Sequence, residues 1–448
     1  MTMKDVNNQY CETVKARYMQ NAACGLRAVE YIKNSTAVYK GKPVPCLYMP
    51  KIFTADAYDS LKTAAETMHQ ILEKVIAKYH LDPGYRKLFP FASRLRDMIL
   101  SDAGYSCLLP IARIDIFLNE EDLSFKFCEF NADGSSAMNE DRELNNAIKD
   151  CDAMNVMGSD YEFVTCEFFD SWASSFINVY RSYASQVENP NVAIVDFIDG
   201  GVPNEFTQFR KAFERAGLRT QIVDVRRLLY DRGKLMTREG GQIHAVYRRA
   251  VTRDIMDNFD SVQPFVKAVT EGAVCSVGHF RTQVIHNKTI FRILHMDETL
   301  SFLTEDERQY VKRHVPMTFI LEEGKFDLDQ IIKNKNQWLV KPDDLYASRG
   351  VWAGVDTCQD VWEKAVRDCL GKGYILQEYV TPYKSPNLDF NENPSPGFEY
   401  YNNITGMFMY NGKLQGFYSR GGPNGVISGL TGGLTIASVI AHERTKSS

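Results

Sequence analysis

Residues 111–136, IARIDIFLNEEDLSFKFCEFNADGSS, constrain the fold more than any other stretch, because they alternate with the period of a strand twice in succession. In IARIDIFL, Ile114, Ile116 and Leu118 alternate with Arg113, Asp115 and Phe117, the pattern of a half-buried strand. Asn119-Glu120-Glu121-Asp122 reads as a turn. LSFKFCEFN then places Phe125, Phe127, Glu129 and Asn131 on one side of a second strand. The spacing predicts a hairpin with Arg113, Asp115, Glu129 and Asn131 on a common face. Two carboxylates and an amide oxygen beside an arginine are hard-oxygen donors of the kind Mg²⁺ takes when it carries a nucleotide's phosphates. A strand pair with one solvated polar face gives the same pattern, and only the downstream sequence separates the two. Cys128 falls on the opposite face from Glu129 and reads as an apolar filler.

The 448 residues can bury large cores, so two or three domains are expected. Hydrophobic residues at 44% and charged residues at 24% are ordinary for a soluble globular protein. A net charge of −5 with no basic tract argues against a nucleic-acid partner. No run approaches the ~18–20 apolar residues of a membrane span. The charged N-terminus lacks the apolar region of a secretory signal. The ten cysteines stand singly, without a CxxC pair, which argues against a zinc site or a disulfide framework and makes a reduced, cytoplasmic protein the simplest expectation.

Four regions are expected. Residues 1–105 read as mainly helical: after Thr54 as a cap, LKTAAETMHQILEKVIAKYH carries an apolar i, i+3, i+4 stripe, and Leu81-Asp-Pro-Gly ends it. Residues 106–190 hold the hairpin, followed by helix over Glu140–Cys151 and Tyr161–Ser185. Residues 191–275 show a strand–helix–strand rhythm, NVAIVDFID, EFTQFRKAFERA and LRTQIVDV, as in a small Rossmann-like α/β unit with parallel pairing. Residues 276–448 contain helix TEDERQYVKRH, strand WLVKP, helix CQDVWEKAVRDCL, strand YILQEYV, a long loop over 381–398, and a hairpin turning at Asn411-Gly412.

The last region carries a nucleotide-binding pattern. Lys341 ends an apolar strand before a loop with Arg349 and Gly350, a placement suited to neutralising phosphates, and equally that of a surface lysine after a core strand. In YILQEYV, backbone groups of Gln377, Glu378, Tyr379 and Val380 can meet an adenine edge between apolar walls. Lys288 supplies a second cation.

The set EFNAD (129–133), HNK (286–288), VKP (340–342), SRG (348–350) and LQEYV (376–380) resembles the glutathionylspermidine synthase-like family over about residues 100–440. HVPMTF (314–319) and GFYSRGGPNGVISGLTGG (416–433) are similar to further family segments. The resemblance implies an α/β (α+β) fold, an ATP-grasp core in permuted order with the metal-binding hairpin ahead of the lysines, and ATP and Mg²⁺ as cofactors. It implies Asp115, Glu129 and Asn131 as metal ligands and Arg113 on the reacting carboxylate or its phosphate. It implies Lys288 and Lys341 on the triphosphate, 377–380 as the adenine hinge, Arg349 in the loop over the site, and Arg420 as a basic residue near the C-terminus. A homodimer is also implied. The chain departs from the family in three ways: Gly134-Ser135-Ser136 replaces a Thr/Ser-Pro-Thr/Ser pattern, the amidase domain of the bifunctional members is absent, and the loop after VKP is longer. These departures bear on glutathione and spermidine rather than on ATP.

The implied chemistry is ligation of a small-molecule carboxylate to an amine through an acyl-phosphate. The residues on the substrate side are Ser135, Ser136, Glu140 and the cluster Arg248, Arg249 and Arg253, for which helix capping and structural pairing are the alternatives. Three functional classes remain open: a ligase, with glutathione and a polyamine or with amino acids or peptides; a phosphotransferase using the same nucleotide site; and a nucleotide-binding protein without catalysis.

Overall fold

The computed structural model describes every residue except 200, 202, 346–348, 392–396, 428–431 and 446–448. The fold is mixed α/β, and its centre is an antiparallel sheet. The sheet runs in the order Leu434–Ile436, Lys413–Gly422, Glu399–Tyr410, Ile111–Leu118 and Phe125–Asn131, with Lys384–Asn387 paired beside Glu399–Tyr410. Helix Ala55–Leu81, capped by the Thr54 side chain on the Ala57 N–H, packs its apolar stripe on one face of this sheet. Met68, Ile71 and Leu72 there share a core with Ile114, Ile116, Phe127, Phe130 and Met407. The opposite face is apolar at one end, where Phe408 and Tyr410 pack near Trp172, and charged at Arg113, Asp115 and Glu129.

The predicted hairpin forms, but its second strand does not alternate as expected. Asp115 pairs with Glu129 and Ile116 with Phe127, so Cys128 is an extra residue in a β-bulge. The bulge reverses the alternation: Phe127 and Phe130 both enter the core, while Glu129 faces the opposite side with Asp115. Strict alternation would have placed Glu129 on the side of Phe127. Cys128 is accordingly a lining residue of the cleft described below, where burial pushes its thiol up to about 12.

The α/β unit has the all-parallel order Cys275–Val277, Ala245–Arg248, Asn191–Asp196, Arg219–Asp224, with helix Asn204–Arg215 crossing between the last two. The third sheet, Thr318–Ile320, Tyr374–Glu378, Trp338–Pro342 and Trp352–Ala353, is antiparallel and backed by helices Leu328–Lys333 and Gln359–Cys369 around Trp362. Two expectations fail, one of them because the partner strand lies far along the chain. Tyr161–Thr165 is a strand rather than helix, because it pairs with Ser438–Glu443, and the helix begins only at Asp170. The 381–398 stretch contains strand Lys384–Asn387. Ser438–Glu443 also pairs in parallel with Lys51–Thr54, tying the two ends of the chain together. No helix among the described residues is long and apolar enough to cross a membrane, and all ten cysteines are free.

Candidate functional site

Between the charged end of the central sheet and the 318–378 sheet lies a cleft lined by Glu129, Lys288, Lys341, Arg420 and the 377–380 segment. The bulge delivers Glu129 to one wall, where its Oε1 lies 3.0 Å from Lys288 Nζ. Lys288 stands just before helix Ile290–Ile293. That helix is anchored under the hairpin by the Phe130–Phe291 stack, with ring centroids 4.7 Å apart. Lys288 also donates to the Leu345 carbonyl at 2.6 Å. Lys341, at the end of strand Trp338–Pro342, reaches the Cys128 carbonyl at 3.3 Å and lies 5.4 Å from the centre of the Phe291 ring. Both lysines are buried, at 5% exposure. Burial alone would raise the Glu129 carboxyl, but Lys288 and Lys341 outweigh it and hold it at about 2. Burial, aided by Lys288, pulls Lys341 below the usual lysine range.

Asp115 is fully buried and committed. Its Oδ1 accepts from Arg113 Nε at 2.7 Å, and its Oδ2 accepts from Arg420 at 2.8 Å. The two guanidinium groups flank the Tyr418 ring at 5.6 and 5.7 Å, and the Tyr418 hydroxyl donates to Glu140 at 2.6 Å. Burial raises the Glu140 carboxyl, which that hydrogen bond only partly offsets. The opposite wall is apolar, with Leu339, Val351, Val380 and Ile427 beside Tyr379. In the expected hinge, the amides of Glu378 and Tyr379 already donate to the Met317 and Gln337 carbonyls, and the Gln377 side chain donates to Thr318.

The structure thus brings Glu129, Lys288, Lys341, Arg420 and the 377–380 segment to one cleft, with Asp115 and Arg113 joined to it through Arg420. Arg349 stands exposed in the adjoining turn, and Tyr346, Ala347 and Ser348 of that loop lie outside the described residues. Other expected substrate residues are placed elsewhere. Ser135 is buried with its hydroxyl on the Asn131 carbonyl, whereas Ser136 is exposed and offers its carbonyl to Arg113 at 2.8 Å. Neither caps the following helix, whose N-cap is Ala137. Arg248 is ion-paired with Asp133 at 2.6 Å and Arg249 with Glu205 at 2.8 Å, all well buried. Arg253 pairs with Asp257 at the surface. Arg248 and Arg249 are therefore internal bracing between the hairpin exit and the α/β unit.

The donor set partly fits a hard cation. Glu129 and Asn131 occupy the same hairpin strand; the Asn131 Nδ2 is buried without an acceptor, and reversing that amide puts its oxygen, the atom a cation takes, in the same place. Asp115 does not fit, since arginines hold both of its oxygens. Among the described residues no three acidic, histidine or cysteine side chains converge to hold a metal ion alone. A magnesium ion brought by phosphates needs only one or two protein carboxylates. Glu129 with Asn131 meets that requirement.

Two residues escaped the sequence reading. A Cβ on Gly406 would lie 2.7 Å from Arg113 Cδ and 2.9 Å from Asp115 Oδ1, so only glycine leaves room for that ion pair. A glycine inside a strand as long as Glu399–Tyr410 was the available signal. Asp356 accepts from the backbone N–H groups of Gly425 and Val426, at 2.9 and 3.3 Å, and so holds one edge of the cleft from the neighbouring lobe. Nothing in the sequence marked it.

No protein-family model matches this sequence, and no curated protein matches it. Its fold is shared. The chain is similar to a glutathione synthetase-like effector from Globodera pallida, solved in apo form, with a TM-score of 0.60 over 93% of this chain and 96% of that one, at 11% identity. It also aligns, at a TM-score of 0.42 and 10% identity, with a protein assigned as a gamma-glutamylcysteine synthetase from Methylobacillus flagellatus, over 87% of this chain and 89% of that one. At such identities the first likeness is one of fold.

Proposed function

We propose that this chain is an ATP-dependent ligase that joins a carboxylate to an amine, built on an ATP-grasp core in permuted order. The observation that carries this reading is the pair of buried lysines, Lys288 and Lys341, facing an apolar wall in one cleft beside an arginine pair. Buried ammonium groups are costly unless an anion meets them. Here four cations, Arg113, Arg420, Lys288 and Lys341, surround two carboxylates, Asp115 and Glu129. The surplus charge suits a triphosphate together with a carboxylate substrate.

In this reading the apolar wall packs the base, and Lys288 and Lys341 hold the phosphates. Arg420 and Arg113, steadied by Asp115, orient the carboxylate toward the γ-phosphorus. Glu129 and Asn131 would hold Mg²⁺, which when bound offsets phosphate charge and polarises the transferring group. The acyl-phosphate then meets the amine, and Arg113 stabilises the oxyanion that develops. The Ser135 hydroxyl is tied to the backbone and Gly134 is fixed at φ 68°, where a Cβ would strike the Arg249 carbonyl at 2.6 Å. That rigidity favours carboxylates other than glutathione.

The test is ADP release from ATP against mixed amino acids, short peptides and amines, with the product identified by mass spectrometry. An amide formed only when amine is present is expected. A phosphorylated product that needs no amine would replace the ligase by a phosphotransferase, and failure of ATP to bind would remove both.

A further inference from the structure

A second concavity, of about 530 Å³, adjoins the nucleotide cleft and opens to solvent. It shares Phe117 and Val380 with the cleft, so the two meet at the end assigned to the nucleotide base. Its lining includes Lys126, Arg313, His314 and Lys384 but no aspartate or glutamate. Ion pairs are common elsewhere on this surface, as at Lys4–Glu121, Arg17–Asp152 and Arg215–Asp170. Among the described residues, none of Lys126, Arg313 and Lys384 has such a partner. The floor is rigid: the His314 ring stacks on Phe125, with centroids 4.1 Å apart, and its Nδ1 is 3.0 Å from the Phe125 carbonyl.

Like charges converging in a concave surface raise the local positive potential and stay together only at an electrostatic cost. The chain as a whole carries −5, so the patch does not follow from a basic composition. Its bounded shape and the acidic remainder of the surface also disfavour an extended nucleic acid. Arginine and lysine beside an aromatic floor are suited to phosphate oxygens.

We propose that the concavity lined by Lys126, Arg313, His314 and Lys384 binds a small molecule carrying two or more phosphates, as a second ligand beside the nucleotide base. The site belongs to the outer surface of the hairpin and of helix Glu305–His314, and it does not depend on the chemistry of the neighbouring cleft.

The test is calorimetric titration of Lys341→Met protein with sodium tripolyphosphate at low salt, the substitution serving to weaken phosphate binding in the cleft. One saturable site is expected to remain. Adding Lys126→Glu and Arg313→Glu should weaken it at least tenfold. An equal change of charge at two exposed lysines far from the concavity, Lys211→Glu with Lys364→Glu, should change it less than threefold. Loss of all binding in Lys341→Met alone would assign the phosphates to the cleft. A smaller effect of the Lys126/Arg313 pair, or an equal effect of the remote pair, would reduce the patch to non-specific attraction. Thermal unfolding of each variant confirms that these surface changes leave the fold intact.

Discussion

Two clusters of arginine and acid flank the same hairpin, and they are balanced differently. Beyond Asn131, Arg248 and Arg249 meet Asp133 and Glu205, charge for charge. Arg249 also donates to the Ser135 carbonyl and to Tyr247, and Glu205 accepts from the Ala137 N–H at 2.9 Å. That cluster is neutral, buried and remote from the cleft lining. On the hairpin itself, Arg113 and Arg420 share Asp115, Lys288 pairs with Glu129, and Lys341 reaches only the Cys128 carbonyl, so four cations meet two carboxylates and two positive charges stay unanswered. Glu378, the other acid on the lining, sits at the hinge with its carboxylate toward the Met317 N–H. Residue type alone therefore does not separate bracing from binding. Charge balance against the local wall does.

The balanced cluster should give the largest effect, and on stability. Arg249→Met leaves Glu205 buried without its partner, which costs about 3–5 kcal/mol. Urea unfolding should show that loss, while nucleotide affinity measured on the folded fraction stays near wild type. A variant that unfolds like wild type but loses nucleotide would move Arg249 into the binding machinery. The surplus cluster should behave in reverse. Lys341→Met removes a charge that no carboxylate pairs with directly, so the fold should hold, whereas nucleotide-dependent turnover should drop roughly 100- to 1,000-fold, the size seen when a donor to transition-state charge is removed. Unchanged ATP affinity and turnover in this variant would sink the assignment of the cleft.

Gly406→Ala probes the packing behind the surplus cluster. The added methyl would sit where Arg113 Cδ and Asp115 Oδ1 now lie, so the pair must shift, at a cost of about 1–3 kcal/mol. The expected result is a rise in the KM for the carboxylate substrate with a modest loss of melting temperature, since Arg113 and Asp115 are the groups displaced and Asp115 in turn holds Arg420. An equal fall in kcat with KM unchanged would instead place the damage on the transferring phosphate.

Much of this was legible in the chain, for reasons that differ by segment. The capped Ala55–Leu81 helix and the Asn411-Gly412 turn, both of whose residues have positive φ, are set by neighbours in sequence. The α/β unit follows from a local strand–helix–strand order. What failed depended on distant partners: Tyr161–Thr165 is a strand only because Ser438–Glu443 runs beside it. The candidate site was legible as a set of residues but not as a set of roles. Bulge geometry carries no alternation signal of its own, so Glu129 was aligned with Phe127. Asp115 was read as a metal ligand because Arg420, its second partner, lies 305 positions away. Arg248 and Arg249 resemble a substrate clamp until Asp133 and Glu205 are seen to neutralise them.

A third acid near the same hairpin has no cation partner among the described residues, and its effect is negligible at pH 4 and grows with pH. Asp141 is fully buried on helix Met138–Ile148, where it accepts from the Ser438 N–H at 3.1 Å and the Asn145 amide at 2.9 Å. Burial pushes its carboxyl up to about 8 from an ordinary value of 3.8. Between those limits the folded chain holds a proton that the unfolded chain has released, so stability falls as pH rises, by at most about 1.4 kcal/mol per pH unit. The Asn145 Oδ1 is buried without a partner, and reversing that amide lets protonated Asp141 donate to it. Asp141→Asn makes the same contact at every pH. Denaturant titrations at pH 4, 5, 6, 7 and 8 should therefore show variant and wild type nearly equal at pH 4, with the variant gaining steadily above it. Parallel stability profiles would mean that Asp141 is ionised throughout, its charge balanced through solvent rather than by a partner such as the Arg248 of Asp133.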